Sequence, residues 1–432
     1  MNYEETIHYL YQKLPLFSNL GKKAYKADLK NTIALTKYLG NPQDKIKTIH
    51  VAGTNGKGST SHMLSAVFQE CGYQTGLYTS PHLRDFRERI RFNGEMIKKE
   101  FVIDFVEKTK KISEEISPSF FELTFVMALQ YFAEKKVDVA IIETGLGGRL
   151  DSTNIIKPLL SVITNIGYDH MDILGNTLEK ITGEKAGIIK SGVPVVIGES
   201  LPETKTVFKE YAKRKNAPIF FAEQTYQIIS SKNCNETFDV EIINTKTKEK
   251  NNYHLDLTGI YQLKNLVTVI ESIDQLKDNF HLEEGKVRTA LSLVKTLNHL
   301  HGRWEVINQK PLVILDVAHN IDGMRQLVDQ ISRSSFKELH IIFGMVKDKE
   351  IEKVLEILPA KATYYFTKAQ IPRALPESEL LAMAQKYNLR GTAFSEVNEA
   401  LKAAMNKASD EDLILVCGSV FVVGEVALNL KK

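Results

Sequence analysis

Val51-Ala52-Gly53-Thr54-Asn55-Gly56-Lys57-Gly58-Ser59-Thr60 is the stretch that decides the fold. An apolar, β-branched run, Thr48–Ala52, leads into it, and a helix-like pattern, Ser59–Gln69, leads out. Strand, glycine loop, lysine and hydroxyl-bearing helix start together form the context of a phosphate loop. The glycines let the backbone come close to phosphate oxygens. The first turn of a helix offers unpaired N–H groups and positive dipole character to an anion. Lys57 adds a charge for the β/γ region, and the Ser59 hydroxyl can ligate Mg²⁺. The spacing differs from GxxxxGK[ST]: the gap before Gly56 is shorter, and Gly58 separates Lys57 from Ser59. The bland reading is a glycine-rich strand-to-helix turn with a stray lysine; the agreement of all four features favours the phosphate loop.

Outward from this loop the same alternation recurs. Short apolar runs at Thr75–Tyr78, Val137–Ile142, Leu159–Thr164, Pro194–Ile197 and Pro218–Phe221 read as buried strands, with helical patterns such as Phe120–Glu134 between some of them. Continuous apolar strands alternating with helices predict an α/β domain with a parallel sheet. Gln227–Leu257 alternates apolar and polar residues and reads as β-rich decoration at an edge of that domain, followed by a helix-like run, Gln262–Leu276. A second series, Leu312–Leu315, Leu339–Phe343, Thr363–Phe366 and Leu413–Cys417, predicts a smaller, Rossmann-like α/β domain. The expected division is 1–298, a P-loop NTPase-like domain, and 299–432. A chain of 432 residues has room for two or three domains.

Composition narrows the class. Hydrophobic residues at 43% and charged residues at 25% describe a soluble globular chain and exclude wholesale disorder. Lys plus Arg, 56, nearly balances Asp plus Glu, 53, which argues against a dedicated nucleic-acid binder. Cys71, Cys234 and Cys417 lie far apart without a CxxC pair, so neither a disulfide framework nor a zinc site is expected. The start, MNYEETIHYLYQKL, carries acids and is not a signal peptide, and no apolar run approaches the ~18 residues of a membrane span. The expectation is a cytoplasmic protein without a membrane partner, in which the Asn235-Glu236-Thr237 sequon has no meaning.

Further motifs sit at strand ends, where open α/β sheets bind ligands. Glu143-Thr144-Gly145-Leu146-Gly147-Gly148-Arg149-Leu150-Asp151 follows one strand. A carboxylate there, near a phosphate loop, is what a magnesium site needs, although Glu143 alone would read as a helix cap or a solvated end. Thr164-Asn165-Ile166-Gly167-Tyr168-Asp169-His170 follows the next. His170 could ligate metal or meet phosphate; a lone histidine is more often structural. Lys185, in Thr182–Lys190, reads on spacing alone as a solvated charge or helix-end partner. Arg84, Arg87, Arg89 and Arg91 read as a solvated face, or as an attractor for an anionic substrate tail. Gly344–Lys349 reads as a surface turn and receives no role.

Taken in order, Gly53–Ser59, Thr79-Ser80-Pro81-His82-Leu83, Glu143–Asn154, Thr164–His170, Glu184–Lys190 and Asp316-Val317-Ala318-His319-Asn320 resemble the folylpolyglutamate synthase/dihydrofolate synthase branch of the Mur ligase superfamily. The resemblance runs from about residue 20 to the C-terminus. It departs at Tyr168, at Gly183 and at His301, which stands where relatives often have proline before Gly-Arg. What it implies is an ATP-dependent, ADP-forming ligase. The acceptor carboxylate, on dihydropteroate or a reduced folate, is activated as an acyl phosphate and attacked by the amine of L-glutamate. By the same resemblance Gly56, Lys57, Gly58, Ser59, Asn265, Arg303 and Asp316 would contact ATP. Two Mg²⁺ ions would be held by Ser59, Ser80, Glu143, His170 and Lys185, the last N6-carboxylated by CO₂. Ser119, Phe120, Phe121, Glu122, Leu150, Asp151 and Ser152 would hold the pterin-bearing substrate, and Lys57, Lys185, Asp316 and His319 would serve the chemistry. A monomer closing both domains over ATP is implied as well, since that would exclude water from the acyl phosphate.

Three rivals remain at this point. One is a folylpolyglutamate synthase without dihydrofolate synthase activity. A second is a Mur-type ligase acting on a peptidoglycan precursor, against which stand Gly58 and the short stretch of about 45 residues before the loop. The third is a nucleotide-sensing module without ligase chemistry, which would need neither a modified Lys185 nor a second domain bearing Asp316 and His319.

Overall fold

Thr48–Ala52 forms β1, buried throughout, with a parallel neighbour on each side. The computed structural model describes residues 1–16, 21, 26–234 and 237–428; Asn235 and Glu236 of the sequon lie outside the described residues. The chain divides into two units, Met1–Leu300 and His301–Lys432.

In the first unit the remaining strands of the large sheet are β2 (Thr75–Tyr78), β3 (Ile90–Phe92), β4 (Glu95–Met96), β5 (Val139–Glu143), β6 (Leu160–Ile163), β7 (Val195–Ile197) and β8 (Ile219–Phe221). Their order is β4-β3-β2-β5-β1-β6-β7-β8. The six strands from β2 to β8 in that order run parallel, and β3 and β4 add an antiparallel edge. That edge was not legible in the sequence, because Arg91 interrupts Ile90–Phe92 and Glu95 begins Glu95–Met96, so neither short strand forms a continuous apolar run. β5 shows how both faces are covered. Val139 and Ile141 pack with Met63, Leu64 and Val67 of the helix Lys57–Glu70, while Ala140 and Ile142 face Phe125 and Leu129 of the helix Phe120–Lys135. Side chains alternate across a strand, so a strand buried on both faces is apolar at most positions, and a buried polar residue in it needs a partner.

The β-rich segment forms its own antiparallel sheet of β9 (Tyr226–Asn233), β10 (Phe238–Asn244) and β11 (Lys250–Leu255), in the order β11-β10-β9. Phe238, Val240, Ile242, Tyr253 and Leu255 pack into the core that also holds Leu266, Val269 and Ile273 of the helix Gln262–Asp274. It is therefore packed onto the first unit through an apolar face and is not hydrogen-bonded to the edge of the large sheet.

The second unit holds β12 (Glu305–Gln309), β13 (Leu312–Leu315), β14 (Leu339–Phe343), β15 (Thr363–Phe366), β16 (Gly391–Ala393) and β17 (Leu413–Cys417), ordered β12-β13-β17-β14-β15-β16. All pairs are parallel except β12 with β13. Cys71, Cys234 and Cys417 are free thiols. No helix among the described residues is long and apolar enough to cross a membrane.

Ile141 is 0% exposed at the centre of β5. Ile141→Ala is expected to lower the stability of the first unit by about 2–5 kcal/mol, read as a lower urea midpoint. The same change at Ile229, 44% exposed, should move the midpoint far less.

Candidate active site

The helix Lys57–Glu70 begins at Gly56, whose φ is +84°. A Cβ there would lie 2.2 Å from Asn265 Oδ1. Gly53 is as tightly enclosed: an added Cβ would sit 1.9 Å from Thr164 Oγ1. The loop between these glycines is braced by the loop that follows β6. Thr54 N donates to Asn165 O at 3.0 Å, Asn55 N to Asn165 Oδ1 at 2.9 Å, and Thr164 Oγ1 to Asn55 O at 2.6 Å. Gly167 N donates to Thr54 Oγ1 at 2.9 Å. The phosphate loop is thus a fixed shape, held from the adjacent strand end.

Behind it lies the helix Gln262–Asp274. Asn265 Nδ2 donates to Gln262 Oε1 at 2.8 Å, and Gln262 Nε2 donates to Ser59 Oγ at 3.0 Å. Sequence reading picked Asn265 and missed Gln262, although three residues apart on a helix is the spacing that puts two side chains on one face.

The two lysines meet at one atom. Lys57 Nζ donates to Gly53 O at 3.1 Å and to Thr54 O at 3.0 Å; Lys185 Nζ donates to Gly53 O at 2.9 Å. Lys185 is 4% exposed, so the reading of it as a solvated charge is corrected here. Burial, and then the Lys57 charge, bring its pKa down from 10.5 to about 7. Its helix, Leu178–Ala186, is pressed against the Gly145–Leu150 loop. A Cβ on Gly148 would meet Glu184 O at 2.8 Å and Lys185 O at 2.9 Å, and Arg149 N donates to Glu184 O at 2.7 Å.

Glu143 ends β5 and is 4% exposed; its Oε2 accepts from Ser80 N at 3.0 Å. Ser80 and Glu143 are therefore brought together. His170 has φ +49° and opens the helix Met171–Leu174; its Nε2 lies 3.8 Å from Asp169 Oδ1. Among the described residues, no group of three or more His, Cys, Asp and Glu side chains converges to hold a metal ion.

The residues expected on the acceptor side are held mostly by their own turns. Ser119 and Glu122 form a capping box: Glu122 N donates to Ser119 Oγ at 3.2 Å, and Ser119 N to Glu122 Oε2 at 2.6 Å. Phe120 is 2% exposed and stacks on Tyr11 at 5.5 Å, so its ring belongs to the core. Phe121 faces the glycine loop: a Cβ on Gly145 would lie 2.5 Å from its Cζ. Asp151 is buried, with Oδ2 accepting from Leu146 N at 2.7 Å and Oδ1 from Thr153 N at 3.0 Å. Leu150 and Ser152 flank it and are partly exposed.

The arginine series needs correction too. Arg89 and Arg91 are 6% and 4% exposed and do not form a solvated face. Arg89 Nε donates to His82 Nδ1 at 2.7 Å, and its guanidinium lies 5.1 Å from the Phe120 ring centre. Arg91 Nη1 donates to Gly94 O at 2.9 Å, while Arg87 pairs with Asp85 at 2.7 Å.

In the second unit Asp316 follows β13 and is 2% exposed. Its Oδ2 accepts from Trp304 N at 3.0 Å and its Oδ1 from Ala318 N at 2.9 Å, so it ties the Gly302–Trp304 turn to the strand end. Arg303 Nη1 donates to Gly302 O at 3.1 Å, and His319 Nδ1 lies 2.9 Å from Val317 O. In the Gly344–Lys349 segment, Met345 and Val346 are buried and Asp348 pairs with Arg373 at 2.8 Å, so the turn is partly core.

Known proteins are similar to this chain in sequence and fold. A family model described as the Mur ligase middle domain matches residues 51–273, and one described as the Mur ligase, glutamate ligase domain matches residues 302–420. A dihydrofolate synthase/folylpolyglutamate synthase of Bacillus subtilis (strain 168) is 36% identical over 408 residues, spanning 91% of this chain and 92% of the relative. The structure of Escherichia coli FolC in complex with DHPP and ADP superposes with a TM-score of 0.84 at 28% identity, covering 98% of this chain and 96% of that one. A bifunctional folylpolyglutamate synthase/dihydrofolate synthase from Yersinia pestis, complexed with AMPPNP and a Mn ion, gives 0.83 at 28% identity, covering 98% and 97%.

Gly56→Ala would force a left-handed alanine, at a cost of about 1–2 kcal/mol, and push the side chain into Asn265. The KM for ATP is expected to rise at least tenfold while the fold persists by circular dichroism. An unchanged KM would remove the phosphate-loop role from this turn.

Proposed function

We propose a reaction from one premise: this chain belongs to the Mur ligase family, in its dihydrofolate synthase/folylpolyglutamate synthase branch. It is an ATP-dependent, ADP-forming ligase that joins L-glutamate to dihydropteroate, giving dihydrofolate, and to reduced folates, giving folylpoly-γ-glutamates. The observation that carries this reading is the braced phosphate loop with buried Lys185 on its Gly53 carbonyl.

The bond changes follow from the substrates. An acceptor carboxylate oxygen bonds to the γ-phosphorus as the bond to ADP breaks. The glutamate amine then attacks the acyl carbon, phosphate leaves with its oxygen, and the nitrogen loses a proton. Gly56, Lys57, Gly58 and Ser59 take the ATP phosphates, with Asn265 backing the loop. Lys57, held by two carbonyls, carries the charge that offsets the γ-phosphate. In the second unit, Arg303, Asp316 and His319 serve ATP and the chemistry; Asp316 acts by fixing the turn that bears Arg303. Phe121, Leu150 and Ser152 meet the pterin-bearing substrate, while Glu122 and Asp151 shape the turns that present them.

Divalent metal fits the residues present. Glu143 offers one carboxylate beside the Ser80 backbone, and Ser59 and Ser80 offer hydroxyls. One or two carboxylates plus substrate phosphates is how Mg²⁺ is usually bound; by the family resemblance, Ser59, Ser80, Glu143, His170 and Lys185 would hold two ions. When bound, they would neutralise charge on the transferring phosphoryl group.

The amine of Lys185 is set up for CO₂. Its pKa of about 7 leaves much of it neutral at neutral pH. The neutral nitrogen bonds to the carbon of CO₂ and releases one proton, leaving an anionic carbamate that can donate oxygen to a metal. We also take the protein to be a cytoplasmic monomer, which the family resemblance supports, as do the free thiols for the location.

Purified protein with ATP, Mg²⁺ and L-glutamate is expected to release ADP with either dihydropteroate or tetrahydrofolate as acceptor. Release with tetrahydrofolate alone would reduce it to a polyglutamate synthase; release with neither would remove the substrate assignment.

Lys185→Ala is expected to abolish ligation, with partial rescue by short carboxylates. Carbamate loading, followed by carbon-13 NMR with labelled bicarbonate, should fall as pH drops below about 7, because protonation removes the attacking lone pair. Full activity of the variant would end the carbamate reading.

A further inference from the structure

His50 stands in the middle of β1 with none of its surface exposed, in a strand otherwise made of Thr, Ile, Val and Ala. A buried histidine in such a strand calls for a reason. Its Nε2 lies 2.8 Å from Thr153 Oγ1. The Thr153 hydroxyl in turn donates to Asp151 Oδ1, which also accepts from Thr153 N at 3.0 Å. The other Asp151 oxygen holds Leu146 N at 2.7 Å. Thr153 is 0% exposed and Asp151 4%, so the whole chain of groups is shielded from water.

Counting protons fixes the direction of this chain. Both Asp151 oxygens accept from backbone N–H groups, the setting of a carboxylate that only accepts, and a hydroxyl has one proton to give. Thr153 gives that proton to Asp151, so Thr153 Oγ1 must accept from His50. His50 is therefore the Nε2–H tautomer. Its Nδ1 is buried without a hydrogen-bond partner, and an unmatched lone pair there is less costly than an orphaned N–H. Burial keeps the ring neutral, with its pKa lowered to about 3.

Asp151 closes the ends of the Gly145–Leu150 loop onto each other, from Leu146 N to Thr153. On its other side this loop is pressed against the helix of Lys185 through Gly148 and Arg149. The phosphate loop has its own braces from Thr164, Asn165 and Gly167. Loosening Asp151 should therefore act first on the acceptor side, since the phosphate loop keeps these braces of its own beside its contact with Lys185.

We propose that His50 and Thr153 are positioning residues for the acceptor. A one-way hydrogen-bond chain from His50 through Thr153 to Asp151 clamps the Gly145–Leu150 loop in the shape that receives the pterin-bearing carboxylate. This rests on the reading above that Leu150–Ser152 lie on the acceptor side.

Thr153→Val keeps the side-chain shape and removes the hydroxyl, and His50→Leu removes the donor. Each is expected to raise the KM for dihydropteroate about tenfold, the size of losing a hydrogen bond to a charged group, with the KM for ATP within about twofold. Thr153→Ser should restore the wild-type value, and the double variant should be little worse than either single one. Equal rises in both KM values would show a merely structural role and overturn the proposal. Asp151→Asn separates the two readings. If it raises the acceptor KM while the His50 and Thr153 variants do not, the relay falls and the acceptor assignment stands. If none of the three changes it, the acceptor assignment falls, and the relay with it. Should the variants not fold, nitrogen-15 NMR of histidine-labelled wild-type protein decides. His50 is expected to carry its proton on Nε2 from pH 5 to 9, and an Nδ1–H ring overturns the chain.

Discussion

One carbonyl oxygen, that of Gly53, accepts from both Lys57 and Lys185. Two ammonium groups on one acceptor repel each other, and repulsion is strong where water is scarce. The conflict is relieved by the more buried partner, Lys185, whose proton is lost near pH 7 instead of 10.5. The other partner sits at the start of a helix, where the dipole also disfavours a cation, and is steadied by a second carbonyl, Thr54 O. An anion at this helix start would satisfy both. The backbone there is closely packed: Thr164 fills the space where any side chain on Gly53 would go.

The parallel sheet makes this meeting possible. β1 lies between β5 and β6, so the chain leaving β1 passes beyond β5 to reach β2, and later crosses back from β5 to β6. Reversal of strand order opens a crevice at the carboxyl ends of the strands. Register does the rest: Val51 pairs with Glu143 and Ala52 with Ile163. The phosphate loop, the Glu143 carboxylate and the Thr164–Gly167 brace thus emerge side by side, although the brace lies 110 residues beyond the loop in sequence. Asp316 in the second unit shows the same economy, joining the turn at Trp304 to the end of β13.

This logic explains which parts were legible in the sequence. β1, β2, β13, β14, β15 and β17 begin and end where their apolar runs do, because a strand covered on both faces is built mostly of apolar, β-branched residues. The helix starts at Lys57 and Phe120 carry local glycine and Ser-x-x-Glu signals. The two-residue and three-residue edge strands carry no such signal. Charge was the hardest to read. Arg89, Arg91 and Lys185 look like surface residues in the sequence, and each is buried, because their partners come from a histidine ring, an aromatic face or backbone carbonyls. No spacing rule announces a carbonyl as a partner. Gln262, the support of Ser59, was missed for a similar reason: its contact lies 203 residues away.

Those buried charges also show how the first unit tolerates so much polarity beside an apolar core. Stranding an ion away from water costs several kcal/mol unless something replaces the lost hydration. Lys185 answers by giving up its proton near neutrality. Asp151 answers with backbone and hydroxyl donors, which offset a burial that pushes its pKa up. Arg89 lacks a carboxylate within ion-pair distance among its described contacts; it uses the His82 ring and the face of Phe120, and burial lowers its pKa. His82 stays neutral, its pKa pushed to about 3 by burial and by Arg89, and so remains an acceptor for the guanidinium at Nδ1. Its Nε2–H is then left to meet Tyr11 OH at 3.2 Å, and Tyr11 stacks on Phe120. Each solution depends on a neighbour staying in one protonation state. The polar groups around the phosphate loop and the glycine loop therefore behave as linked sets, and apolar replacement of one member leaves another buried and unmatched.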